Sequence, residues 1–332
     1  MSNKVLVIAE IGMNHEGSIG QAEALVKAAK DCGVDAVKFQ MHISKEETIR
    51  NAPSPTYFKN ESRYEYFNRT AFSMEEWKIL KNLCKELGLM FVISPFSIEA
   101  VKRIAEIGVD YIKIPSGEVT NIPYLRYISQ TKIPAILSSG MSTLKELDEA
   151  VEILKEADLT IMQCTSEYPC RPESTGFNLI KELAERYKEI PIGFSDHSDN
   201  IWTSIAAVCY GASMVERHFT LSRKMYGPDA YMSLEPDAME ELVHAVDFIK
   251  KAVDSPIDKN DIGKFSDMRY TFQKSIVSLK DLKAGDVITE DNIAIKKPGN
   301  GIQPKRYEEV MGKRVKKDIS EDCVIMEGDI EW

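Results

Sequence analysis

Two lysines, two histidines and a glutamate carry the chemistry that can be read directly from this sequence. His197 closes the run Gly193-Phe-Ser-Asp-His197 and His218 closes Met214-Val-Glu-Arg-His218, two of only five histidines in 332 residues. Imidazoles at the ends of adjacent apolar runs could converge on a metal ion. Each could equally be a hydrogen-bonded rim residue, and spacing alone leaves both readings open. With Glu10 ending another run and few soft ligands about, an octahedral ion such as Mn²⁺ or Mg²⁺ suits these donors better than zinc. Lys38 and Lys113 end near copies of one segment, Gly33-Val-Asp-Ala-Val-Lys38 and Gly108-Val-Asp-Tyr-Ile-Lys113. An ammonium near the end of an apolar strand is costly to desolvate unless an anion meets it, so the pair points to a phosphate or carboxylate ligand. The competing reading pairs each lysine with Glu118 or Asp196. Ser116-Gly-Glu118 and Ser138-Ser-Gly-Met141 could bring hydroxyls and backbone amides to the same anion. Asn14-His15-Glu16-Gly17 reads as a turn with Ser18 capping the next helix, and His15 as structural rather than catalytic.

Positioning these groups requires a scaffold, and the first 220 residues supply one. Apolar runs at 4–10, 36–40, 90–94, 111–115, 135–139, 159–164, 192–195 and 214–218 alternate with amphipathic helical stretches, the pattern of a closed parallel (β/α)₈ barrel. Their near-continuous hydrophobicity fits strands covered on both faces. Ser73-x-x-Glu76 and Thr143-x-x-Glu146 are helix-start signals, and Gly33, Gly88, Gly108 and Gly211 stand where helices should end. In such barrels the working groups lie at the C-terminal strand ends, and polar residues stand at every one of these exits. The stretch 41–72 is too long and polar for a turn and should pass over the barrel mouth. Residues 1–254 are expected to form the barrel domain, 255–269 a linker, and 270–332 a compact, irregular β-rich unit.

Composition agrees. The chain has 43% hydrophobic and 28% charged residues, an ordinary globular balance, and a formal net charge of −10 that disfavours a nucleic-acid surface. No apolar run approaches a membrane span and the N-terminus lacks a cleavage pattern, so the expected location is the cytoplasm. The six cysteines show no Cys-x-x-Cys spacing and read as scattered thiols.

Ala9-Glu-Ile-Gly-x-Asn-His-x-Gly17, Val37-Lys-Phe-Gln40, Ile112-Lys-Ile-Pro-Ser-Gly-Glu118, Leu137-Ser-Ser-Gly-Met141, Gln163-Cys-Thr-x-x-Tyr-Pro169, Gly193-Phe-Ser-Asp-His197, Glu216-Arg-His-Phe-Thr220 and Pro298-Gly-Asn-Gly-Ile302 resemble, in order along almost the whole chain, the N-acetylneuraminate (sialic acid) synthase family. The resemblance implies a TIM barrel followed by a small antifreeze-like (SAF, β-clip) domain, and condensation of phosphoenolpyruvate with N-acetylmannosamine to give N-acetylneuraminate and phosphate. Carried over, His197 and His218 match the metal ligands, with Mn²⁺ the expected ion, and Glu10 the carboxylate near the metal-bound water. Lys38, Lys113, Ser116, Ser138, Ser195 and Asn60 match phosphoenolpyruvate contacts. Gln40, Glu118, Tyr168 and Asp229 match positions facing the sugar. The resemblance also implies a domain-swapped homodimer in which the antifreeze-like domain covers the partner's site with an arginine before Pro-Gly; this chain has Lys297 there, which keeps the charge but loses the planar fork. Ala230 is a second departure, standing where many relatives carry histidine. Rival readings are a legionaminic or other nonulosonic acid synthase using a diacetamido-trideoxyhexose, a Schiff-base aldolase using Lys113, and a non-catalytic carbohydrate-binding protein.

Overall fold

A computed structural model describes residues 4–53 and 61–332. It divides into two compact units, one through Ser255 and one from Pro256 to Trp332.

In the first unit eight strands close into a parallel barrel in sequence order: β1 Leu6–Gly12, β2 Ala36–Met41, β3 Met90–Pro95, β4 Tyr111–Ile114, β5 Ala135–Ser138, β6 Leu159–Cys164, β7 Ile192–Asp196 and β8 Met214–His218. These overlap the eight apolar runs of the sequence. Side chains on a strand alternate between faces, so each run is sorted into two sets. The outward set, including Ala9, Val37, Phe91, Ile112, Leu137, Ile161, Phe194 and Val215, packs against the helices in one large core. The inward set begins with a plug of Ile8, Ala36, Val92, Ile136, Met162 and Met214 that fills the barrel's lower lumen. One step of two residues above that plug the inward positions turn polar: Glu10, Lys38, Ser94, Lys113, Ser138, Cys164, Ser195 and Glu216. Register fixes this layer, since Glu10 pairs with Lys38 and His218, and Ser195 with Glu216.

The helices form for reasons visible in the chain. Met74–Leu87 starts at a Ser73/Glu76 capping box and buries Trp77, Leu80 and Cys84, each side chain worth about 1.5–3 kcal/mol. Leu144–Leu154 starts at the Thr143/Glu146 box. Gly88 and Gly108 take the left-handed conformation that returns the chain to β3 and β4. The excursion between β2 and β3 contains the helices Ser44–Glu47 and Arg63–Thr70 in its described part.

The second unit pairs β9 Ser275–Ser278 antiparallel with β10 Ile293–Lys296 and adds isolated bridges such as Val277 to Val324 and Val315 to Ile330. Ile276, Leu282, Ile288, Ile293, Ile302, Val310, Val315, Ile319, Ile325 and Ile330 make its core. Part of the stretch read as linker is ordered, with a short helix at Ser266–Phe272. The cysteines are all free, and among the described residues no helix is long and apolar enough to cross a membrane.

Candidate active site

Above the polar layer the barrel mouth opens into a cavity of about 600 Å³. Its floor is built from opposite charges. Lys113 Nζ lies 3.2 and 3.0 Å from the two carboxylate oxygens of Glu216, and Lys38 Nζ lies 2.6 Å from Glu10 Oε2 and 3.7 Å from Glu216 Oε1. Ser195 donates to Glu216 Oε1 at 3.2 Å, and Lys38 donates to Ser94 Oγ at 3.4 Å. All four charged groups are buried. The partners named in the competing reading, Glu118 and Asp196, are not the ones used: Glu118 accepts from Asn121, and Asp196 faces outward to Arg217. The reason is parity, because Asp196 is one residue out of step with the inward positions Ser195 and His197.

Burial drives both carboxyls of the floor toward their neutral forms, with different outcomes. For Glu10 burial and the neighbouring Glu216 prevail over Lys38, so its pKa is raised. For Glu216 burial is outweighed by Lys113 and Lys38, and its pKa falls to about 2. Glu216 is therefore the fixed anion of the floor, and Glu10 the carboxyl that can carry a proton.

His197 and His218 stand one inward step higher, their ring centroids 5.6 Å apart and tilted 44°. His197 Nδ1 donates to the Thr165 carbonyl at 2.9 Å, so Nε2 is the nitrogen that bears the lone pair when the ring is neutral. His218 Nδ1 is buried without a hydrogen-bond partner, and burial, His197 and Lys38 hold the ring's pKa well below its ordinary value. The neutral ring with an orphaned nitrogen fits a metal ligand. Among the described residues no group of three or more His, Cys, Asp or Glu side chains could hold a metal, so two imidazoles are what the chain itself offers. Behind them Asp196 and Arg217, the sequence neighbours of the histidines, form a buried ion pair at 2.9 Å. Asp196 also accepts from Thr203 and Ser204, while Arg217 reaches the carbonyls of Ser198 and Asn200. This outward pair ties β7 to β8 behind the inward rings.

The walls carry most of the remaining expected residues. Ser116, Glu118, Ser138, Tyr168 and Asp229 line the cavity with Gln40. Gln40 Nε2 donates to Glu10 Oε1 at 2.7 Å. Tyr168 lies with its ring 4.2 Å from that of His197. Asp229, its pKa raised by burial, accepts from the Met13 N–H at 3.4 Å, and a Cβ on Gly12 would come within 2.8 Å of it. Gly140 has a similar role, since a Cβ there would lie 2.6 Å from Ser116 Oγ. Burial raises the pKa of Glu118. Asn60 lies outside the described residues, and Lys297 belongs to the second unit, its ammonium 5.1 Å from the Phe272 ring centroid. His15 lies away from the cavity, stacked on Phe72 at 4.3 Å.

Three groups escaped the sequence reading of the site. Glu216 was noticed only as a neighbour of His218; their separation by two residues, which puts both on the inner face, was the available signal. The same rule places Cys164 on the inner face of β6, lining the cavity near His197 and Ser116, while its neighbour Gln163 bonds to Ser139 and Thr175. The third, His42 with Glu47, Phe67 and Phe96, comes from or adjoins the β2–β3 excursion.

Comparison with known proteins follows the same outline. The NeuB family model matches residues 25–258 and the SAF domain model residues 273–331. The N,N'-diacetyllegionaminic acid synthase of Campylobacter jejuni subsp. jejuni serotype O:2 is 36% identical over 334 residues, covering 98% of this chain and 99% of that protein. The N-acetylneuraminate-9-phosphate synthase of Mus musculus is 34% identical, covering 98% of this chain and 92% of that one. The crystal structure of an N-acetylneuraminic acid (sialic acid) synthetase from Leptospira borgpetersenii serovar Hardjo-bovis, in complex with citrate, superposes with a TM-score of 0.71 at 29% identity, covering 81% of this chain and 92% of that one.

Proposed function

The chain belongs to the NeuB family and is an enzyme of the nonulosonic acid synthase class; on that premise we propose that it joins phosphoenolpyruvate to N-acetylmannosamine, releasing phosphate and forming N-acetylneuraminate. The observation that carries this reading is the floor in which Lys38 and Lys113 flank Glu216 beneath His197 and His218. Two ammoniums converge on this floor, and their convergence suits an anionic substrate. Lys38 and Lys113 would hold the phosphate and carboxylate of phosphoenolpyruvate, with the hydroxyls of Ser116, Ser138 and Ser195 beside them. Such fixation makes the attack of C3 on the acceptor aldehyde effectively unimolecular.

His197 and His218 would hold a divalent metal, Mn²⁺ or Mg²⁺, which when bound supplies Lewis-acid polarisation of the aldehyde. Glu10, with its raised pKa, is suited to accept the proton of the water that adds at C2 before phosphate leaves. Gln40, Glu118, Tyr168 and Asp229 would orient the sugar. A Schiff-base mechanism at Lys113 fits less well, because its Nζ is clamped on both oxygens of Glu216 as a cation.

A diacetamido acceptor is the second reading, favoured by the 36% identical relative, an N,N'-diacetyllegionaminic acid synthase. The same account reads the protein as a cytoplasmic homodimer with Lys297 presented to the partner's site. One assay tests it: phosphate release from phosphoenolpyruvate with Mn²⁺ and a panel of amino sugars, with and without chelator. Turnover with N-acetylmannosamine that chelator abolishes is the expected result. A borohydride-trapped pyruvate adduct, or no release with any acceptor, would overturn the reading.

A further inference from the structure

Lys38, Gln40 and His42 follow one another at every second residue of β2 and its exit, so they form a single inward column. The first two belong to the floor and wall already described, and the third has no part in the reaction as derived above. His42 is buried in a slot between two aromatic rings, stacked on Phe67 at 3.6 Å and 8° and on Phe96 at 4.0 Å and 19°. A slot of this shape would accept a phenyl ring without any desolvation cost. It holds an imidazole whose two nitrogens are both engaged, Nδ1 with Glu47 Oε1 at 2.8 Å and Nε2 with Gln40 Oε1 at 3.1 Å. The Glu47 side chain is buried too, and its Oε2 also accepts the Ile43 N–H at 3.3 Å.

The hydrogen assignment follows from the far end of the chain of bonds. Gln40 Nε2 donates to Glu10 Oε1, so Gln40 Oε1 is the atom turned to His42 and can only accept. Nε2 of His42 must therefore carry hydrogen, whichever of Nδ1 and Glu47 holds the proton shared between them. An amide has a broad, nearly two-fold preference about its last torsion. Flipped, Gln40 would turn its oxygen toward the Glu10 carboxyl. We propose that His42 is a positioning residue, one that locks the Gln40 amide with its NH₂ group on Glu10 and so sets the donor pattern this wall presents to the acceptor sugar. The inference rests on the reading above, in which Gln40 faces the acceptor and Glu10 the water.

The test compares two variants of the full chain. His42→Phe fills the aromatic slot without a donor; His42→Gln gives up the stack but places an amide nitrogen within reach of Gln40. With Mn²⁺, phosphoenolpyruvate and N-acetylmannosamine, His42→Phe should lose roughly 10- to 100-fold in kcat/KM for the acceptor with the KM for phosphoenolpyruvate unchanged, as expected of misplacement without loss of the anion site. His42→Gln should recover most of that loss. Should His42→Phe not fold, His42→Met serves as the donorless variant. Equal activity of the donorless variant and wild type, or equal damage in the donorless variant and His42→Gln, overturns the proposal in favour of simple slot filling. If wild type turns over no acceptor, the functional reading fails on its own. The inference is then decided by crystal structures of the variants: Gln40 Nε2 should leave Glu10 in the donorless protein and stay in His42→Gln, and an unmoved amide in both sinks it.

Discussion

Replacing Glu216 by glutamine keeps the shape of the floor and removes its fixed charge. At an effective dielectric constant of about 20, an ammonium 3.0 Å from a carboxylate is attracted by about 5.5 kcal/mol and one at 3.7 Å by about 4.5 kcal/mol. Against these stand the several kcal/mol needed to bury the carboxylate and its repulsion with Glu10, so the net loss should be about 3–5 kcal/mol. The amide also turns one N–H group toward donors, since both Glu216 oxygens now accept from Lys113. At ~2–4 °C per kcal/mol for large domains, the thermal midpoint should fall by roughly 10 °C. An anion can resupply the missing charge, so inorganic phosphate or phosphoenolpyruvate should raise the midpoint of Glu216→Gln more than that of wild type. The pH dependence has a definite sign. Because the pKa of Glu216 is depressed from 4.5 to about 2, its contribution is complete above about 4.5 and fades as pH falls toward about 2. Differential scanning fluorimetry across ligand and pH reads all of this. A variant with an unchanged midpoint and the same response to phosphate as wild type would refute charge compensation as what holds the two lysines.

Other expectations follow from the same geometry. Arg217→Met leaves Asp196 buried without its cation and should cost about 3–5 kcal/mol of stability; calorimetric titration should show weaker Mn²⁺ binding as β7 and β8 lose their tie. Glu10→Gln should retain phosphoenolpyruvate binding but lose about 10²–10⁴-fold in kcat, and full turnover would remove Glu10 from proton transfer. His218→Ala should abolish Mn²⁺-dependent phosphate release while leaving the affinity for phosphoenolpyruvate within a few-fold, measured by ligand-induced thermal shift.

The barrel was legible in the sequence because its strands are short, mostly apolar runs separated by amphipathic helices, several of them with capping boxes. Most of the site was legible as well, since barrel strands deliver their C-terminal ends to one mouth. What the runs do not announce is which neighbours meet across the lumen. Lys113 finds its partner on β8, on the far side of the barrel. Asp196, the partner in the competing reading, is turned by one residue into the helical layer, where Arg217 meets it. Counting parity from the apolar plug places Asp196 outside the lumen and Glu216 and Cys164 inside it. The His42 clamp is harder to see, because Glu47 and Phe67 come from an excursion whose polar, irregular sequence carries no period to place them.

The account depends on the lysine pair being an anion cradle, and a crystal structure of the protein with phosphoenolpyruvate examines that directly. Phosphate or carboxylate oxygens within hydrogen-bond distance of both Lys38 and Lys113 Nζ, beneath His197 and His218, is the predicted result. Phosphoenolpyruvate bound elsewhere, with both lysines still paired only to Glu10 and Glu216, would contradict it.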